Sequence, residues 1–208
     1  MKTAYFWLTP QGKQLAEQLQ AHFGGTVEPK ADFAEAVRRA FADCDALVFV
    51  MATGIVVRTI APLVQSKASD PAVLVLDQRG KHVISLLSGH LGGANAMAEQ
   101  AAAYLGGEAV ITTATDVEHV PAFDLFAKEN HLTIENLEEL KYISGALVAG
   151  EPVSLCTAFP VEKNAFPETV QIQPFSETPR HACAVAIADT TESVAAPHVL
   201  YLRPKSLV

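Results

Sequence analysis

Apolar and polar positions follow two different periods along the first half of the chain. Ala4-Tyr5-Phe6-Trp7-Leu8 is a short unbroken apolar run and predicts a strand. Beyond Thr9-Pro10, the segment Gln11 to Phe23 sets Leu15, Leu19 and Phe23 four residues apart, which predicts an amphipathic helix stopped by Gly24-Gly25. Asp32 reads as the N-cap of a second helix, Phe33 to Phe41, with Phe33, Ala36, Val37, Ala40 and Phe41 on one face. Ala46 to Met51 and Ala72 to Asp77 are apolar runs of the kind found in strands covered on both sides by helices. Gln78-Arg79-Gly80-Lys81 predicts a hairpin turn into a strand from His82 to Leu86. An alanine-rich helix from Ala94 to Leu105 and a strand from Ala109 to Thr113 follow.

This alternation predicts an α/β domain, a mostly parallel sheet flanked by helices. After Thr115-Asp116 the texture changes. Ala122 to His131 and Asn136 to Val148 are helical by period, and from Val153 onward four short β-like runs are separated by turns that contain proline. These are Val153 to Cys156, Val170 to Gln173, Ala182 to Ile187 and Val199 to Leu202, and eight of the twelve prolines lie beyond residue 120. The expected organisation is an N-terminal domain over 1–120 and a second, smaller α+β domain over 121–208.

With 208 residues, 50% of them hydrophobic and 18% charged, there is enough apolar material to offset chain entropy without disulfides. A formal charge of −8, with no basic cluster to offset it, argues against nucleic acid as a partner. The uncharged stretch Val83 to Met97 is interrupted by glycines and is too short to cross a bilayer about 30 Å thick, so no membrane segment is expected. The N-terminus has no long apolar region followed by a small-residue cleavage site, and the expected setting is cytoplasmic. Cys44, Cys156 and Cys183 have no Cys-x-x-Cys spacing and are expected to be reduced, buried thiols. No His/Cys/Asp/Glu grouping has ligand spacing, so no protein-bound metal is expected.

In an open α/β sheet, ligands bind beyond the carboxyl ends of the strands. Four loops in such positions carry candidate chemistry. After Met51, Thr53 and Gly54 can present backbone N–H groups at a helix start, and Arg58, one turn on, can hold a carboxylate or simply face solvent. Lys67 and Asp70 pair a cation with a carboxylate, either as a site or as a solvated turn that Asp70-Pro71 initiates. Ser88-Gly89-His90-Leu91-Gly92-Gly93-Ala94-Asn95 is the most informative segment: its glycines allow close backbone approach, and His90 can exchange protons near neutral pH. Alternatively, Gly92-Gly93 serve tight helix packing. Thr113, Thr115 and Asp116 can bind a polar ligand or satisfy loop backbone. His82 and His119, which flank these loops, are weaker candidates. The glycines match neither a dinucleotide fingerprint, a nucleophile elbow nor a P-loop.

Taken in order, Met51-Ala52-Thr53-Gly54-Ile55-Val56-Val57-Arg58, Ile60-Ala61-Pro62-Leu63, Ser66-Lys67, Asp70-Pro71, the Ile84 to Asn95 stretch and Val110 to Asp116 closely resemble the N-terminal region of the CbiG family. From about 120 to 205 the chain is similar to the family's more variable central domain in length and pattern. The family comprises the cobalt-precorrin-5A hydrolases of anaerobic cobalamin biosynthesis. The resemblance implies a hydrolase that opens the ring A δ-lactone of cobalt-precorrin-5A and releases acetaldehyde, giving cobalt-precorrin-5B. No cofactor is implied, since the cobalt arrives inside the substrate.

On this reading His90 is the general base, Asp70 or Asp116 orients it or replaces it, and Ser88 with the N–H groups near Gly92 and Gly93 stabilises the oxyanion. Arg58 and Lys67 receive the substrate's carboxylates, and Thr53, Gly54, Gly89, Asn95, Thr113 and Thr115 complete its binding site. The loops around 53, 67, 90 and 115 are therefore expected to converge on one hollow. Many members continue into a third, CobE-like domain at about the point where this sequence ends. That leads to the expectation that the third part is a separate polypeptide or has been removed, with a CobE-like protein or a second copy as partner. The alternative function is a non-catalytic tetrapyrrole-binding subunit acting with such a partner.

Overall fold

Five-residue apolar runs at Thr3–Trp7 (β1), Ala46–Val50 (β3) and Ala72–Leu76 (β4) form the centre of a parallel sheet, and β3 and β4 are buried along their whole length. Both faces of these strands need helical cover, which is why their sequences lack polar alternation. The computed structural model describes residues 1–162 and 164–205. Lys163 and the last three positions expected in the second domain, Ser206 to Val208, lie outside the described residues.

The chain divides into two compact units, Met1–Thr112 and Thr113–Val208. In the first, a six-stranded sheet has the order β2-β1-β3-β4-β5-β6, completed by Thr26–Val27 (β2), His82–Leu87 (β5) and Glu108–Val110 (β6). Helices Pro10–Phe23 (α1) and Ala94–Leu105 (α4) cover one face through Leu15, Leu19, Ala98 and Ala102. Helices Phe33–Asp43 (α2) and Thr53–Ile60 (α3) cover the other through Val37, Ala40, Val56 and Ile60. Thr9 caps α1, its hydroxyl accepting from the Gly12 N–H at 3.0 Å. Asp32 departs from expectation: it sits at φ 53° and makes no side-chain cap, and its backbone carbonyl accepts from Ala36 instead.

The hairpin read from Gln78 to Lys81 is present, and it reverses the sheet. β5 runs antiparallel to β4, and β6 runs parallel to β5. β6 ends at Val110, short of the expected Thr113.

The second unit places its helices first and its strands after. Ala114–Val117 (α5), Phe123–Glu129 (α6) and Leu140–Val148 (α7) are joined by a short strand, Leu132–Ile134 (β7), and a 3₁₀ turn at Leu137–Glu139. Then come Val153–Thr157 (β8), Val170–Pro174 (β9), Cys183–Ile187 (β10) and His198–Pro204 (β11), in a sheet ordered β7-β11-β10-β8-β9. Only β7 is antiparallel to its neighbour. Phe123, Ile143 and Leu147 pack on Leu155, Val185 and Leu200 to form its core. Arg203, a cation that the residue pattern did not single out, is buried against Glu135 at 3.2 Å.

Candidate functional site

Strand direction decides which loops share an edge. β1, β3 and β4 run the same way, so their carboxyl ends carry the Leu8-Thr9, Met51–Thr53 and Asp77–Gln78 segments. β5 runs the opposite way and begins at that same edge, with His82. The chain leaves β1 toward β2 and returns across it to β3, so the topological switch point lies between β1 and β3, where open α/β sheets bind ligands.

A cleft of about 600 Å³ opens along this edge, from the end of β1 across to β6. Val75, Ile84 and Val110 form an apolar floor across β4, β5 and β6, with Met51 and Ile55 beside them. Thr9, Thr53, Asp77, Gln78 and His82 are its polar lining. The Thr9 hydroxyl lies 3.1 Å from Gln78 Oε1 and ties the start of α1 to the hairpin. The first turn of α3 has no side-chain cap; Ile55 donates its N–H to the Ala52 carbonyl at 3.0 Å, and the N–H groups of Thr53 and Gly54 precede it at the helix start.

Asp77 holds the hairpin turn. Its Oδ1 accepts the Arg79 N–H at 2.9 Å and its Oδ2 the His82 N–H at 2.7 Å, and the same Oδ2 stands 3.4 Å from His82 Nδ1. Burial pushes this carboxyl up, but the backbone N–H groups of His82, Arg79 and Lys81, together with the His82 ring, outweigh it and leave it below the usual carboxylate range. A depressed carboxyl stabilises the fold above its unfolded value, and that stabilisation is lost as pH falls through the folded value. The urea midpoint of the protein is therefore expected to drop as pH falls below about 4, and Asp77→Asn to lack the share of that drop owed to this turn. Urea titrations at stepped pH check this.

Thr53 lines the cleft, Gly54 follows it in the first turn of α3, and Arg58 is one turn further along the same helix. Arg58 is exposed and donates from Nη1 to the Gly54 carbonyl at 3.0 Å.

Lys67, Asp70 and the Ser88–Asn95 turn are at the other edge. Because β5 is reversed, its carboxyl end returns to where β4 begins, and a Cβ added at Gly92 would stand 3.2 Å from the Ala72 nitrogen. At about 3.3 Å per residue, five-residue strands put the two edges some 16 Å apart. The single hollow expected from the sequence is therefore not formed within the first unit.

At this amino edge, Asp70 is buried and its carboxylate accepts the N–H groups of Gln65, at 3.0 Å, and Ser66, at 3.1 Å, closing its own loop. Asn95 is buried, its Oδ1 receives the Ser85 hydroxyl at 2.6 Å, and it fills the space above Gly89. Gly92 leaves room for Ser88, whose Cβ would lie 2.5 Å from a Cβ at that position, and Gly93 starts α4 at φ 89°. Ser88 itself is at φ 58° with its Oγ buried and unpartnered among the described residues. His90 is half-buried in the same turn.

Thr113, Thr115 and Asp116 belong to the second unit, around α5. Thr113 is the residue before the helix, and Thr115 is buried with an unpartnered Oγ1 among the described residues.

Thr9, Asp77 and Gln78 were missed in the sequence because they are ordinary capping and turn residues there. The available signal was a carboxylate five positions before a histidine across a hairpin turn. The three cysteines are free, and burial pushes each thiol up, away from nucleophile behaviour. Among the described residues there is no group of three or more His, Cys, Asp or Glu arranged to hold a metal ion, and no helix long and apolar enough to cross a membrane.

Residues 35–116 match the family described as cobalamin synthesis G N-terminal, and residues 121–204 that described as cobalamin biosynthesis central region. A cobalt-precorrin-5A hydrolase of Salmonella typhimurium is 44% identical over 165 residues, covering 73% of this chain and 47% of that protein. One from Priestia megaterium is 42% identical over 109 residues, covering 52% of this chain and 29% of that protein. The crystal structure of a cobalamin biosynthesis protein G homolog from Sulfolobus solfataricus is similar at a TM-score of 0.55 and 25% identity, covering 98% of this chain and 60% of that one. The chain spans about half the length, or less, of the curated relatives it matches.

Proposed function

The chain belongs to the CbiG family of cobalamin biosynthesis, and from that premise we propose that it acts as a cobalt-precorrin-5A hydrolase. Water adds to the carbonyl of the ring A δ-lactone, the lactone C–O bond breaks, and the two-carbon fragment then leaves as acetaldehyde. The substrate brings its own cobalt. A cytoplasmic setting suits three thiols that stay reduced.

The observation that carries the reading is the cleft at the carboxyl edge. A corrinoid macrocycle has broad apolar faces and a fringe of carboxylates. An apolar floor of Val75, Ile84 and Val110 beneath a polar rim suits both features, in a volume of about 600 Å³. The uncapped start of α3 at Thr53 offers N–H groups to a carbonyl oxygen that is gaining charge, and Arg58 can receive a carboxylate of the fringe. Lactone opening also needs a proton acceptor that works near neutral pH, which is histidine chemistry. Two histidines stand at sheet edges for the role: His90, in the Ser88–Asn95 turn at the amino edge, and His82, at the cleft.

Incubating the protein with cobalt-precorrin-5A and measuring acetaldehyde with an aldehyde-reducing coupling enzyme tests the function. Acetaldehyde is expected in amounts matching the substrate consumed. A change in corrinoid absorbance on binding, with no acetaldehyde, would leave the protein a carrier of the tetrapyrrole. Release that appears only when a CobE-like protein is added would place part of the machinery on that partner.

A further inference from the structure

We propose that His82, oriented by Asp77, takes the proton from the water that opens the lactone; the assignment rests on the hydrolase reading above. Of the described residues that line the cleft, Asp77 and His82 are the two whose side chains titrate as acids or bases. His82 shows 47% of its side chain to solvent, so its ring is within reach of a bound ligand without any movement of the fold. Asp77 is anchored by backbone N–H groups on both oxygens and faces His82 Nδ1 at 3.4 Å. A carboxylate in that position favours the tautomer protonated at Nδ1 and leaves Nε2 as the acceptor.

The step balances on the residues named. A water O–H proton moves to His82 Nε2 as the water oxygen bonds to the lactone carbonyl. The lactone C–O bond then breaks, and the imidazolium returns its proton to the departing alkoxide. Asp77 stays ionised throughout and acts through the ring, as a positioning residue.

His90 is in a different part of the fold. It is on the opposite edge of the sheet from the cleft. Asp70, the carboxylate expected to orient it, spends both oxygens on its own loop.

The test uses the full chain, cobalt-precorrin-5A and acetaldehyde as readout, with His82→Gln, His82→Ala, Asp77→Asn and His90→Gln. The hairpin's own hydrogen bond at position 82 uses the backbone N–H, so the His82 variants keep the turn. His82→Gln is expected to lower kcat by about 10²- to 10⁴-fold, while the corrinoid absorbance change on binding keeps the wild-type midpoint. Added imidazole is expected to restore release to His82→Ala, a response that a purely structural histidine would not give. Asp77→Asn is expected to lower kcat about 10-fold or more with KM unchanged.

Wild-type-like release by His82→Gln overturns the assignment and leaves the hydrolase reading standing, and loss confined to His90→Gln then moves the base to the amino edge. A wild-type protein that binds the substrate and releases nothing overturns the hydrolase reading and the base together.

Discussion

Phe49→Ala is expected to destabilise the first unit by about 3–5 kcal/mol, toward the upper end of that range. Phe49 is the fourth residue of β3, in the middle of the sheet, and is fully buried. Its ring stacks on Phe6 at 4.9 Å and 17°, and Phe33 of α2 meets the pair edge-on, 6.0 Å from Phe6 and 6.5 Å from Phe49. Truncation removes the transfer free energy of the ring and leaves a cavity between a sheet and two helices that are pinned elsewhere and collapse poorly. It also breaks ring pairs worth roughly 0.5–1.5 kcal/mol each beyond their buried area. Against a total stability of about 5–15 kcal/mol, this is enough to unfold a marginal unit. Trp7 is the single tryptophan and lies in this unit, its indole N–H donating to the Glu28 carbonyl at 3.0 Å. Its fluorescence in urea therefore reports this transition. Phe33→Ala, at the half-buried end of the cluster, is expected to cost less, and a negligible cost would mean that the stack does not couple the strands to α2.

On the proposed hydrolase reading, Gly107→Ala is expected to lower both stability and turnover. A Cβ at this position would fall on the carbonyl oxygens of Gly80 and Lys81, backbone atoms of the hairpin that carries Asp77 and His82. Neither oxygen can turn aside as a flexible side chain would. Glu108, the next residue, donates its N–H to the Lys81 carbonyl at 2.8 Å, so relief of the clash works against the start of β6. Overpacking of this kind costs about 1–3 kcal/mol, and displacing a catalytic group by 1 Å can cost about 100-fold in rate. Its neighbour provides the contrast. Gly106 has open space around its Cβ position but sits at φ 67° as the C-cap of α4, so Gly106→Ala is expected to cost about 1 kcal/mol through backbone strain and to leave turnover unchanged. Urea titration and the acetaldehyde assay on both variants separate the two effects. Equal turnover in both would show that β6 yields to the clash and the hairpin does not.

The strands legible in the sequence were those whose burial is written into every residue, such as Leu47 to Val50 and Val73 to Leu76, with no polar position to blur the pattern. β2 escaped because it is two residues long and has no pattern of its own. The hairpin between β4 and β5 was legible from Gly80 and its flanks, yet its effect on the site was not, because that effect is tertiary. The Ser88–Asn95 turn does follow the carboxyl end of a strand, but of a reversed strand, so it lies at the edge opposite Thr53. Asp70-Pro71 carried two readings, and the bonds from Gln65 and Ser66 give the carboxylate the turn-closing one. Thr9 and Gln78 carry no distinguishing pattern at all. They meet across sixty-nine positions of sequence, a juxtaposition that only the assembled sheet creates.

The Asp77 to His82 pairing, by contrast, is made entirely by neighbours in sequence. Hairpin partners are joined by a tight turn, whereas parallel partners need a crossover connection between them. The contacts that define the pair all lie within the hairpin, as a cassette whose internal spacing is set by its own turn. Lengthening the tip at Arg79-Gly80 would alter what the rim admits while the floor stays as it is, so selectivity and support in this protein are free to vary separately.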